Sequence, residues 1–159
     1  MPEEKTNVMR ILDQKKVPYT AHAYPYSGGP VDGPHVAALL GVEPERAFKT
    51  LVTRGAAGRH YVFVVPVMRE LDLKAAAKAV GEKSIEMIRL AELQPLTGYV
   101  HGGCSPVGMK KQFKTVIDES ARGVDRMVVS AGKIGFQVEL APASLAGLIR
   151  AVFAPVSKE

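Results

Sequence analysis

The stretch Gly98-Tyr99-Val100-His101-Gly102-Gly103-Cys104-Ser105-Pro106-Val107-Gly108-Met109-Lys110-Lys111-Gln112-Phe113 is the segment around which the rest of this chain can be read. Gly98 to His101 reads as the end of a strand, after which the large side chains disappear. The paired glycines at 102 and 103 admit positive φ and let a second molecule approach the backbone closely. Ser105 adds a hydroxyl, Pro106 fixes one φ angle, and Gly108 closes the loop before the basic pair Lys110 and Lys111. Such a loop can aim backbone N–H groups at an anion or a developing oxyanion. The plainer alternative is a glycine-rich turn between two strands.

Three familiar loop chemistries fail here. Gly103 to Gly108 has the glycine spacing of a phosphate-binding P-loop, but Met109 and Lys110 stand where Lys and Ser/Thr are needed. No hydroxyl is then placed for Mg²⁺, which excludes a nucleotide triphosphatase of that kind. A nucleophile elbow G-x-S-x-G fails because Val107 occupies the second glycine position. The dinucleotide fingerprint G-x-G-x-x-G does not occur in the loop. What survives is a backbone-lined site with no obvious nucleophile of its own.

The chain has 159 residues, enough for one domain with a sizeable core. A hydrophobic content of 47% beside 23% charged residues is ordinary for a folded protein. No apolar run approaches the ~20 residues of a membrane span. Met1 to Lys5 lacks the apolar core of a signal peptide, and a single cysteine suits a reducing compartment, so a cytoplasmic location is expected. A net charge of +5 and a pI near 9.4 make a polyanionic partner plausible. No arginine-rich run or aromatic-interleaved basic motif points to a dedicated RNA-recognition module.

Outward from the loop, local signals predict the elements. Thr6 or Asn7 caps a helix through Lys16, and Tyr19 to Tyr24 alternates like a strand. Tyr26 to Pro34 is a Gly-, Pro- and Ser-containing loop bordering the site. His35 to Leu40 is a short helix stopped by Gly41, and Glu43 to Arg46 starts another. Phe48 to Thr53 is a strand with Phe48, Thr50 and Val52 on one face and Lys49, Leu51 and Thr53 on the other. Lys49 therefore shares a face with Leu51, which can desolvate its ammonium, or its stem snorkels to solvent. Tyr61 to Val67 is an apolar, β-branched run expected as a buried strand. Leu73 to Val80, opened by Leu71-Asp72 and finished by Gly81, is a helix. Ser84 is expected to cap a further helix through Leu90, extended by Ala91 to Leu93. Thr115 to Asp118, Arg126 to Ser130 and Phe136 to Leu140 are strands, and Ser144 caps a last helix from Leu145 to Phe153. Strands interspersed with helices without regular βαβ alternation predict a mixed-sheet α/β or α+β domain over residues 1–159.

Neither metal nor cofactor is expected. The histidines at 22, 35, 60 and 101 are scattered, and Cys104 has no partner at ligand spacing. Cys104 is a candidate thiol nucleophile in a loop of N–H dipoles, or a small buried hydrophobe. Ser105 fits a hydrogen-bonding pocket wall better than an attacking group.

Gly-Gly-x-Ser-Pro-x-Gly at 102–108, the lysine of Phe48-Lys49-Thr50-Leu51-Val52, and Ser-Ala-Gly-Lys-x-Gly at 130–135 together resemble the YbaK/EbsC family. The resemblance runs from Thr6-Asn7 to about Ala151. These are freestanding trans-editing domains that deacylate mischarged tRNA, typified by Cys-tRNA(Pro) deacylase. The resemblance implies a curved mixed β-sheet, partly closed like a barrel and surrounded by helices. It also implies an aminoacyl-tRNA substrate held by its 3′ CCA end and a working association with prolyl-tRNA synthetase. On that basis Lys49, Gly102, Gly103 and Ser105 carry the catalysis, with Lys49 anchoring the terminal sugar or phosphate or stabilising charge near the ester. Tyr24, Thr50, Gly98, Tyr99, Pro106, Gly108, Ser130, Gly132, Lys133 and Gln137 bind substrate. In such deacylases the cysteinyl thiol attacks its own ester, an intramolecular step with an effective molarity of up to ~10⁵ M or more. The chain departs from the family in carrying Gln137 where some members have an acidic residue, and Val31-Asp32 in place of an Asn-Phe pair. Two alternatives stay open: a water-using deacylase for Ala-tRNA(Pro) or another small aminoacyl-tRNA, and a non-catalytic module binding a nucleotide or aminoacyl-adenosine.

Overall fold

Asp72 and Gly81 illustrate how local chemistry sets the elements. In the computed structural model, which describes residues 5–25 and 33–159, helix α3 spans Leu73–Val80. The Asp72 carboxylate accepts from the N–H groups of Lys74 and Ala75, and Gly81 leaves the helix in the left-handed region. Helix α1 (Asn7–Gln14) is capped by the Thr6 hydroxyl, which accepts from Met9 N–H at 3.3 Å. It ends before Lys16, whose φ of +58° breaks the helix two residues earlier than its composition predicts.

Three sheets follow from the strand pairings. The largest has the order β5–β2–β3–β6–β9, from β2 (Phe48–Gly55), β3 (His60–Pro66), β5 (Ile85–Met87), β6 (Lys114–Asp118) and β9 (Val152–Ala154). The hairpin β2–β3 is antiparallel, whereas β6 lies parallel to β3 and β9 parallel to β6, so the sheet is mixed. A second sheet orders β1 (Thr20–Ala23), β8 (Phe136–Leu140) and β7 (Met127–Ser130), all antiparallel. A parallel bridge from Ala47 to Val128 joins it to the start of β2. The sheets thus curve toward one another without closing a barrel. A two-stranded piece, β4 (Glu70–Leu71) with β10 (Ser157–Lys158), ties down the C-terminal residues.

The main core fills the space between the two larger sheets. Val8 and Leu12 of α1 meet Phe48, Val64, Ile117, Met127, Val138, Leu140 and Leu145, all buried. Burying each such side chain contributes about 1.5–3 kcal/mol, which makes this cluster the dominant stabilising feature. A second cluster, with Phe63, Val65, Leu71 and Val116, packs α3 on the other face of the five-stranded sheet. Alternation along β3 therefore feeds two cores, which is why its sequence is apolar at nearly every position.

Four expectations need correction. Ile85–Met87 is strand β5 and not part of a Ser84-capped helix, because it pairs with the edge of β2 from Thr53 to Gly55. The helix begins later, as α4 (Leu90–Thr97), where Glu92 turns back to accept from Arg89 N–H at 2.8 Å. Gly98 to His101 is not a strand: Gly98 (φ +86°) is the left-handed cap of α4, and the chain turns at His101 and Gly102. The last helix, α5 (Pro142–Ile149), starts before Ser144 and stops at Arg150 (φ +56°), so Val152 and Phe153 are free to join β9 beside β6. Helix α2 (Gly33–Leu40) also takes in Gly33 and Pro34. The rest of the expected 26–34 loop, with Val31 and Asp32, lies outside the described residues. No helix among the described residues is long and apolar enough to cross a membrane.

Candidate active site

A cavity of about 560 Å³ opens between α2, the start of β2, the glycine loop and one face of the β1–β8–β7 sheet. Both faces of β2 contribute, since Phe48, Lys49, Thr50 and Leu51 all line it. Ser130 and Gln137, cross-strand partners in β7 and β8, line the opposite wall together with Val128, two residues before Ser130 and on the same face. Helix α2 supplies an apolar side through Val36, Ala37 and Leu40, and His101, Gly102 and Cys104 complete the rim.

Lys49 is half-buried, and among the described residues it has no ion pair or hydrogen bond. Burial pushes its pKa down, and the charge of Glu70 partly opposes that shift. Beside it, the Thr50 hydroxyl is buried and has no hydrogen-bond partner. An unsatisfied buried hydroxyl is costly, and on a residue that lines a cavity it is a candidate to be satisfied by a ligand.

The glycine loop is held rigidly. Gly103 N–H bonds Val100 O at 3.0 Å and Lys110 N–H bonds Thr97 O at 3.0 Å. The Ser105 hydroxyl, fully buried, accepts from Val107 N–H at 3.2 Å. Tyr99 donates its hydroxyl to Val107 O at 2.5 Å, and burial pushes its pKa up to about 12, with Cys104 adding to the rise. A Cβ at Gly132 (φ +90°) would stand 2.9 Å from the Tyr99 ring, and one at Gly103 would stand 3.1 Å from the Ile134 nitrogen. Glycine at both places lets the loop seat directly against the Ser130–Gly135 turn. Among the described residues, the Gly102 and Cys104 N–H groups have no acceptor in this arrangement.

The residues named from sequence therefore divide. Lys49, Thr50, Gly102, Ser130 and Gln137 come together at the cavity. Gly103, Ser105, Gly98, Tyr99, Pro106 and Gly108 lie in or before the loop that carries the rim, and Gly132 and Lys133 in the turn beneath it, none of them on the cavity lining. Tyr24 is buried beside that turn, its N–H bonding Gly135 O at 2.9 Å and its hydroxyl unpartnered. Sequence reading missed the α2 wall, Leu93, Val67 and Val128. Only Val128 carried a usable signal, its alternation with Ser130.

Cys104 lines the cavity but is poorly placed for attack. Burial pushes its thiol up to about 12, against a hydrogen bond with Thr97 that lowers it. A thiol with that pKa supplies almost no thiolate near neutrality. Among the described residues no cluster of three or more His, Cys, Asp or Glu side chains could hold a metal ion. Near the end of β8, the central strand of the same sheet, Glu139 accepts from His22 at 2.7 Å and from Arg46, with Arg126 at 3.5 Å. Burial works against its ionisation, but the His22 hydrogen bond and the arginine charges outweigh it and hold the carboxyl below its usual pKa.

The model of the aminoacyl-tRNA editing domain family matches residues 34–148, which span both the β2 lysine and the glycine loop. The chain belongs to this family. The editing domain is 46% identical over 155 residues to a protein of Enterococcus faecalis named "Putative Cys-tRNA(Pro)/Cys-tRNA(Cys) deacylase EbsC", covering 98% of this chain and 94% of that one. It is also 30% identical over 106 residues to a proline–tRNA ligase of Stenotrophomonas maltophilia, spanning 65% of the domain but only 19% of the ligase. Among solved structures, a hypothetical protein superposes with a TM-score of 0.86 at 25% identity, covering 96% of this chain and all of the other. A "putative trans-editing enzyme for prolyl tRNA synthetase" superposes at 0.81 and 24% identity over 98% of this chain and 100% of that one, a likeness of fold.

Proposed function

We propose that this editing domain is an aminoacyl-tRNA deacylase that clears Cys-tRNA(Pro), and Cys-tRNA(Cys), with the substrate's own thiol as nucleophile. The observation that carries the reading is the combination found in the cavity. A half-buried lysine without a described partner, Thr50 with its unsatisfied hydroxyl, and Gly102 and Cys104 of the glycine loop border a space that holds no activated nucleophile. In this mechanism the cysteinyl sulfur bonds to the ester carbonyl carbon, the bond from that carbon to the ribose oxygen breaks, and the thiol proton ends on the ribose oxygen. The products are a thiolactone and free tRNA.

The protein's part is positioning and charge. Lys49 and the Gly102 and Cys104 N–H groups are suited to the oxyanion, since fixed donors in a water-poor site stabilise developing charge strongly. Thr50, Ser130 and Gln137 supply polar contacts to the amino acid or terminal ribose. Gln137 can hydrogen-bond but cannot act as a general base, which agrees with a reaction that needs none. The likeness to a segment of proline–tRNA ligase supports a working association with prolyl-tRNA synthetase in the cytoplasm.

The test is deacylation of Cys-tRNA(Pro) beside Ser-tRNA and Ala-tRNA(Pro), with wild type and Lys49→Ala. Serine is nearly isosteric with cysteine and a far poorer nucleophile. Selective, Lys49-dependent loss of the cysteinyl ester is expected. Equal hydrolysis of all three would point to activated water, and no hydrolysis of any would leave a binding module.

A further inference from the structure

A second depression lies at the far end of the β2–β3 hairpin. It is an open groove of about 620 Å³ lined by the turn Ala57 to Tyr61, by Val80, and by Lys111 to Lys114. Counting along β2 from Lys49 to Arg54, which pairs with His60, a rise of ~3.3 Å per residue puts the groove roughly 17 Å from the cavity lysine. One segment connects the two places. The glycine loop contributes His101, Gly102 and Cys104 to the cavity, then continues to Lys111 and Phe113 in the groove. Beneath it runs a shared apolar floor, since Cys104 and Phe113 belong to one buried cluster with Val52 and Val62.

The groove is basic and polar, unlike the apolar cavity. Arg59, Lys111 and Lys114 are exposed and make no ion pair among the described residues. Three carboxylates lie near and all are engaged: Glu82 accepts from the Tyr61 hydroxyl at 2.5 Å, Glu92 is bound to Arg54 and Arg89 N–H, and Glu86 pairs with Arg54 at 4.0 Å. His60 also lines the groove, its ring tilted against Phe113 at 5.5 Å and its Nε2 buried with no hydrogen-bond partner. Burial and the charge of Arg54 push its pKa down, Glu92 opposes, and Lys111 adds to the depression. Three exposed cations without a carboxylate partner along one groove suit a ligand that brings acceptor oxygens.

We infer that this groove is a phosphate-binding track for the RNA backbone, seating the acceptor arm of the tRNA whose 3′ end enters the cavity. The inference rests on the deacylase reading above. Arg59, Lys111 and Lys114 neutralise successive phosphates, while His60, packed on Phe113, shapes the groove floor. Contacts of this kind position the substrate without reading its bases. They also explain how a chain without a dedicated RNA-binding motif holds a large substrate. The separation from Lys49 is one that an unpaired 3′ end spans in several nucleotides, so both sites can be filled by one molecule.

The experiment measures binding of uncharged tRNA to the full chain across a salt series, with the triple variant Arg59→Ala, Lys111→Ala, Lys114→Ala. A control triple, Lys15→Ala, Lys74→Ala, Lys158→Ala, removes the same charge from exposed positions elsewhere. The groove triple is expected to bind about tenfold to hundredfold more weakly at low salt, with the slope of log K against log salt reduced by about 2–3. The control triple keeps the wild-type slope. With Cys-tRNA, the groove triple raises KM and leaves kcat near wild type. A wild-type slope in the groove triple, or an equal fall in both triples, overturns the inference. So does loss of binding to a mononucleotide with tRNA binding intact. Because the ligand is uncharged tRNA, the groove is tested even if no deacylation occurs. Conversely, deacylation with an unchanged slope sinks the groove and leaves the deacylase reading intact.

Discussion

Thr50→Val separates a ligand-facing hydroxyl from a structural one, because the two roles predict opposite signs for stability. The Thr50 hydroxyl is buried, lines the cavity and has no hydrogen-bond partner, while its neighbour across the hairpin is Val64. Burying a hydroxyl without compensation costs about 1–3 kcal/mol. Valine has nearly the same shape and a β-branched side chain suited to a strand, so the backbone has no reason to move. The variant should therefore be more stable than wild type by about 1 kcal/mol, or roughly 2–4 °C in Tm for a chain of this size. Activity should move the other way. A substrate hydrogen bond worth about 0.5–1.5 kcal/mol corresponds to a loss of up to about tenfold in kcat/KM. Denaturant melts, thermal melts and deacylation of Cys-tRNA(Pro) together read both numbers. A variant destabilised by 1 kcal/mol or more, or one with unaltered kcat/KM, would refute the reasoning and return Thr50 to the scaffold.

Further predictions concern the same wall and its support. Lys49→Ala should keep the wild-type circular dichroism and melting curve while losing most deacylation, because the side chain holds no described structural partner. Cys104→Ala should keep activity within a few-fold of wild type and lose about 1 kcal/mol of stability from its buried cluster, measured by denaturant melts. An inactive, well-folded Cys104→Ala would replace the substrate thiol with an enzyme nucleophile. Glu139 has a folded pKa held below its ordinary 4.5, so its stabilisation is fully present above that value and is lost as pH falls through the folded pKa. Wild type should thus lose its advantage over Glu139→Gln on acidification below about 4.5, as read from melts on a pH series.

The elements legible in the sequence are those whose determinants are neighbours along the chain. Helix α3 is predicted to the residue because Asp72 and Gly81 punctuate it, and β3 is predicted within one residue at each end because consecutive apolar positions suit burial on both faces. The segments misread are those whose state is decided by distant partners. Ile85–Met87 carries too few residues to declare a period, and it is a strand because the edge of β2 offers it hydrogen bonds. Val152–Ala154 prolongs an apolar helical pattern, and only the place beside β6 and the positive φ at Arg150 turn it into β9.

The site divides along the same line. Lys49, Thr50, Gly102, Ser130 and Gln137 were picked out from the sequence by residue type and family pattern, and they meet at one cavity. That Gly103 and Ser105 spend their hydrogen bonds inside the loop, and that Tyr99 braces it against Val107, follows from contacts between turns that no spacing announces. The sequence by itself determined the chemistry available here: a lysine on an apolar strand, a glycine-rich loop, and a lone cysteine whose role it left open. The tertiary structure decided where that chemistry is dry, unpaired and enclosed. Burial, orphaned hydroxyls and an apolar wall from α2 arise only when segments far apart in sequence are brought within a few ångströms.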